Sequence, residues 1–260
     1  MNTNPAGEER TYQKVGGITI DGAPVTYVVT LAAVVAALSF IPLSVVIGSG
    51  KSFPMSQGVY PLVGWILGPL AGALANAVGA IIGVFIAPHT TTMPAATVAG
   101  AAMGGLVAGS MTLANKRRWW WLPLFVLLLG AYAFYGSWAI LVIQVRWGAV
   151  IAGSSIDWSA LLLFLLPTRA LVPRWIGSRD LKLVSLGLFF GTWITAGLTH
   201  LTASTIIYPF FNWPEAVWLS IAPIAPLEHL IRCLVGTLLG TGLIAGLRAI
   251  GLVKARYAAY

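Results

Sequence analysis

Acidic side chains are scarce in this chain. Seven Asp and Glu stand against fifteen Lys and Arg in 260 residues, with three histidines and one cysteine, Cys233. A single cysteine excludes an internal disulfide framework and a thiolate metal cluster. So few carboxylates leave almost no candidates for paired acid and base work. No acid falls in the middle of a predicted span, where an ion-coupled transporter normally buries one. Also absent are a Gly-x-Ser-x-Gly elbow, a His-Glu-x-x-His pair and a Gly-x-x-x-x-Gly-Lys-Ser phosphate loop. The chain is therefore not read as an enzyme, calls for no cofactor and has no ATP site of its own. The first 24 residues lack a charged, apolar, cleavage-site order, so no cleaved signal peptide is expected.

Charge of either sign is low: 8% of residues, where a soluble domain carries about 25%. Hydrophobic residues make up 58%, and the mean hydropathy is +0.87. The expectation is an all-α, polytopic membrane bundle of about six to eight segments, since a spanning helix needs about 20 apolar residues. The net charge of +8 would point to nucleic acid in a soluble protein. Here the basic residues sit between apolar runs and set orientation instead. Residues 1–24 read as a cytoplasmic tail, 25–252 as one membrane domain, and 253–260 as a second cytoplasmic tail.

The first span is expected at about 26–48, with Ala32, Ala33, Ala36 and Ala37 forming a smooth face at i, i+4 spacing. The run from Tyr60 to Ala87 is interrupted by Gly68-Pro69, a strong breaker, and divides into two short helices there. The second of these carries Gly72, Asn76, Gly79 and Gly83 on one face. Further helices are expected at about 95–114, 122–143, 158–173, 183–208 and 226–247. Arg146 and Asp157 fall in the loop before the helix at 158. Trp119, Trp120 and Trp121 beside a basic stretch read as an interfacial anchor.

Alternating these segments from a cytoplasmic N-terminus sorts the basic residues. Arg10, Lys14, Lys116, Arg117, Arg118, Arg169, Arg174, Arg179, Lys182, Arg248, Lys254 and Arg256 fall inside; only Lys51 and Arg146 fall outside. The same alternation brings His89, His200, His229, Glu228 and Arg232 to the outer half, with Thr90, Thr202, Ser204 and Glu215. A pocket opening outward follows from this gathering.

The last helix is read as starting near Pro226, because proline suits a first helical position. Glu228 then lies in the first turn and Arg232 four residues on, on the same face. The two either neutralise each other or contact a ligand. His200 is either a hydrogen-bonded structural residue or a second ligand contact, and Asn76 is either interhelical glue or a fourth. The histidines lack metal-ligand spacing, so no metal site is assigned. Gly236/Gly240 and Gly242/Gly246 offer close approach to another helix.

Three blocks of sequence resemble the substrate-binding S component of energy-coupling factor transporters. They are Ala32-x-x-x-Ala36 with Ala33-x-x-x-Ala37, the run Leu67-Gly68-Pro69-Leu70-Ala71-Gly72-Ala73 followed by Gly79 and Gly83, and Gly191-Thr192-Trp193 through Pro226-Leu227-Glu228-His229-Leu230-Ile231-Arg232 to Gly240. The resemblance implies capture of a vitamin or related micronutrient at the outer surface of the cell membrane, under a loop at Gly48 to Gln57. It also implies docking through the alanine face onto a transmembrane coupling subunit that works with two cytoplasmic ATPases. Such proteins have about six helices, so the surplus is assigned to an extra hairpin at 119–176. A structural subunit of a larger membrane complex and a membrane enzyme acting on lipid are the rival readings.

Overall fold

The computed structural model describes residues 17–46, 51–113, 117–251 and 253–260. Arg10, Lys14 and Lys116, most of the tail read at 1–24, and residues 48–50 of the expected capping loop lie outside the described residues.

A short antiparallel hairpin, β1 (Thr19–Ile20) and β2 (Ala23–Pro24), leads into α1 (Val25–Leu38). Here the chain departs from the expected span at 26–48: helix gives way to a second hairpin, β3 (Pro42–Val46) and β4 (Lys51–Pro54). Pro42 has no N–H to continue a helix and disfavours helical backbone at the residue before it. The β-branched run that follows fits a pleated strand better than a helix. A 3₁₀ turn at Met55–Gly58 then opens α2 (Tyr60–Leu67) and α3 (Pro69–Ile86). The two helices meet at Gly68, as the Gly-Pro pair predicts. Its φ of +88° is a conformation that only glycine adopts without strain.

A second 3₁₀ turn (Pro88–Thr90) precedes α4 (Pro94–Met111), and α5 (Trp121–Ser137) runs on through a π-helical turn at Trp138–Val142. The region 119–176 is more broken than a helical hairpin. After α5 come α6 (Trp147–Gly153) and α7 (Ser155–Leu165), bent by 69° at Ser154, and then α8 (Thr168–Ile176). The chain closes with α9 (Leu181–Phe211) and α10 (Glu215–Ala249).

α10 starts eleven residues before Pro226, not at it, and both Pro223 and Pro226 lie inside the helix. Proline breaks the ladder, but helices packed in a membrane tolerate it because neighbouring groups re-satisfy the freed carbonyl. Glu228 is therefore an interior residue and not part of a first turn.

Five helices are long and apolar enough to cross a membrane, by length and composition: α3, α4, α5 with its π turn, α9 and α10. The bent pair α6–α7 makes up to six. The molecule is an all-α, multi-pass membrane bundle. α9 is its central rod, in contact with α4, α5, α7, α8 and α10. α3 and α4 cross where backbone meets backbone: a methyl group added at Gly105 would lie 2.5 Å from the Gly72 carbonyl.

The two ends of the bundle differ. At one end Arg117 pairs with Asp21 at 2.6 Å, and Arg248 donates to the Ser178 and Ile176 carbonyls. Hydrogen bonding by Asp21 raises the Arg117 pKa. Residues 253–260 tuck in here, with Ala259 N–H donating to Trp65 O at 2.8 Å. At the other end the β3–β4 hairpin folds over the helix termini. Lys51 Nζ donates to Pro88 O at 2.9 Å, and a His89 ring nitrogen lies 3.2 Å from Phe40 O.

Candidate functional site

The hairpin end holds two neighbouring cavities of about 70 Å³ and 60 Å³. Phe53 of β4 and His200 of α9 line both, so these two side chains form the partition between them.

The first cavity is an aromatic box with a polar corner. Tyr135 (α5), Tyr208 (α9), Trp213 and Trp218 (α10) supply rings, and Asp157, His200, Ser204 and Glu228 supply polar groups. The Tyr135 and Trp218 rings are nearly parallel, 9° apart with centroids at 6.2 Å. Trp218 can approach because residue 153 has no side chain; a Cβ there would meet the Trp218 ring at 2.8 Å.

Hydrogen bonds lock these walls. Trp218 Nε1 donates to Tyr208 Oη at 2.9 Å, and Tyr208 Oη donates to Trp213 O at 2.9 Å. Tyr135 Oη donates to Asp157 Oδ2, and His200 Nδ1 donates to Asp157 Oδ1 at 2.8 Å. Asp157 is 1% exposed. The sequence places it in a loop, but the structure buries it in the first turn of α7, where the helix dipole favours an anion. This is the site residue that sequence reasoning missed. Its partners are 22 and 43 residues away in sequence, so no local spacing marks it. The one local sign was a lone acid heading an apolar run, Ala160 to Leu166.

Of the residues singled out from sequence, Glu228 and His200 line this first cavity. Arg232 lies just behind. It is 2% exposed, its guanidinium carbon sits 4.3 Å from the Phe53 ring centre, and its Nη2 is 3.7 Å from Glu228 Oε2. That separation is an ion pair without a hydrogen bond. Neither Nε nor Nη2 of Arg232 has a hydrogen-bond partner among the described residues. Asn76 is fully buried and donates to Tyr60 O at 3.0 Å, the interhelical bond of one of its two readings. It lines neither cavity. His229 is buried, with Nε2 donating to Trp193 O at 2.9 Å, and His89 stays on the exposed turn. The three histidines do not converge. Among the described residues no group of three or more His, Cys, Asp and Glu could hold a metal ion.

Gln57, Tyr60, Thr90 and Thr199 belong to the second cavity. An exposed clasp stands at the same end of the bundle. Arg146, just before α6, donates its backbone N–H and its guanidinium to Glu215 at the start of α10. The Glu215 hydrogen bonds raise the Arg146 pKa above its usual value.

The alanine face of α1 divides. Ala32 and Ala36 are buried, and a Cβ at Gly79 of α3 would meet Ala32 O at 2.6 Å. Ala33 and Ala37 are exposed. Compared with protein-family models, curated proteins and solved structures, the chain matches none.

Proposed function

We propose that this protein is a membrane-embedded binding subunit for uptake of a small organic micronutrient, which it delivers to an ATP-driven partner. The observation that carries the reading is the pair of cavities under the β3–β4 hairpin, with Phe53 and His200 between them. A site built for capture needs concave space, apolar walls and a few oriented polar groups, and the first cavity has all three.

The distribution of basic side chains supports the direction of transport. Arg117, Arg118, Arg169, Arg174, Arg248 and Arg256 belong to the end away from the hairpin; Lys51, Arg146 and the buried Arg232 are at the hairpin end. By the positive-inside rule the cavities face outward in the cell membrane and both termini lie in the cytoplasm. The energy source belongs to partners, in keeping with the resemblance to S components: a transmembrane coupling subunit and two cytoplasmic ATPases. The exposed Ala33-x-x-x-Ala37 half of α1 is the surface for the first of these.

That same exposed alanine pair also favours a rival reading, a structural subunit of a larger membrane complex. Affinity purification from native membranes in mild detergent, with mass spectrometry of proteins and small molecules, separates the two. Recovery of two ATPases, a coupling membrane protein and a small organic solute is the expected result. Recovery of a stable complex that holds neither ATPases nor solute would sink the binding-subunit reading.

A further inference from the structure

Most of the hydrogen-bond donors around the first cavity are already engaged. The Trp218 N–H goes to Tyr208, the Tyr208 O–H to Trp213 O, the Tyr135 O–H to Asp157, and the His200 Nδ1–H to Asp157. Among the described residues, the Ser204 hydroxyl, 3.4 Å from His200 Nδ1, and the Trp213 indole N–H are the donors left in the wall, with the unpartnered Arg232 Nε and Nη2 behind it. Most of what the wall still offers is electron-rich: the Glu228 carboxylate, the spare lone pairs of Asp157, and the faces of Trp218, Tyr135 and Phe53.

Glu228 is the most available of these. Its side chain is 15% exposed, and among the described residues its one partner is Arg232 at 3.7 Å. Arg232 does not line the cavity. It stands behind Phe53 and offsets only part of the negative charge, since Asp157 and Glu228 are two carboxylates against one guanidinium. Ring faces attract cations through their quadrupole, tryptophan most strongly, and more so where water is excluded.

Resting on the binding-subunit reading, we propose that the solute is an organic cation: a compact ammonium or charged heterocycle on a partly apolar body. Its positive centre sits against Glu228 and the Asp157–His200 pair, and its body lies between Trp218 and Phe53. A carboxylate or phosphate solute would meet two carboxylates on the wall, with the Ser204 O–H and the Trp213 N–H as its donors.

Three probes of similar size test the charge: benzyltrimethylammonium, benzyl alcohol and phenylacetate, titrated calorimetrically into the purified full chain in lipid nanodiscs. Benzyltrimethylammonium is expected to bind at least about tenfold more tightly than phenylacetate, the equivalent of about 1.4 kcal/mol. Glu228→Gln should weaken the cation about tenfold and leave benzyl alcohol unchanged. Arg232→Met should strengthen the cation, because the offsetting charge is gone. Phenylacetate binding as tightly as the cation, or cation affinity untouched by Glu228→Gln, overturns the charge class while leaving solute capture in place. Cation affinity that falls in Arg232→Met as well as in Glu228→Gln makes the pair a structural pin and overturns it too. No saturable binding of any probe overturns both the charge class and the binding subunit.

Discussion

At the scale of single residues, the buried carboxylate of Asp157 decides how the polar corner is built. A charge inside hydrocarbon is costly unless its lone pairs are engaged. Tyr135 and His200 engage both oxygens. Tyr135→Phe removes one donor and keeps the ring, so it should lower stability by about 1.5–3 kcal/mol, the usual range for a hydrogen bond to a charged group. Tyr132→Phe, which loses only a contact with the Ser154 hydroxyl at 3.0 Å, should cost about 1 kcal/mol or less. Thermal unfolding of both variants in one detergent checks the order, and equal losses would mean that Asp157 is not held as described. Glu228, Arg232 and His200 were legible in the sequence because a charge or imidazole in an apolar helix stands out by itself. Asp157 was not, because its role exists only once α5, α7 and α9 are packed.

At the scale of elements, glycine spacing carries two meanings that sequence does not distinguish. Gly105 of α4 has the Gly72 backbone against it, whereas a Cβ added at Gly242 or Gly246 of α10 would meet nothing within 4 Å among the described residues. Gly105→Val should therefore destabilise by about 1–3 kcal/mol or more, the cost of overpacking where backbone cannot yield. Gly242→Ala should be neutral, or stabilise by about 0.5–1 kcal/mol through helix propensity. Denaturation midpoints of the isolated chain check both. Breaks were read with mixed success for a related reason. Gly68-Pro69 ends a helix because glycine supplies the positive φ that the turn needs. Pro223 and Pro226 do not end α10, because packing around a long helix absorbs a missing N–H. The β3–β4 hairpin was hidden because an apolar, β-branched run reads equally as the second half of a span.

At the scale of the whole molecule, the bundle sets the proposed solute cavity and the proposed docking face on different helices. The first cavity involves α5, α6, α7, α9 and α10 and the second α2, α4 and α9, while the exposed alanines lie on α1. A bulky pair, Ala33→Leu with Ala37→Leu, should abolish co-purification of a coupling subunit and leave solute affinity within about twofold, since distant sites act independently. Parallel loss of both would place the docking face and the cavities in one cooperative unit. The multi-pass helical character was legible before any fold, since it depends only on composition and on the length of the apolar runs. The number of spans was not, because α1 and α2 are too short to cross and α6–α7 bends. The aromatic box has one more consequence, an optical one. Of eleven tryptophans, Trp213 and Trp218 line the first cavity, and Trp218 lies nearly parallel to Tyr135 and beside the Asp157–His200 pair. Indole emission shifts with the charge and polarity around the ring, so the protein carries its own dye, and occupancy of the cavity can be followed in the native chain by the colour of its light.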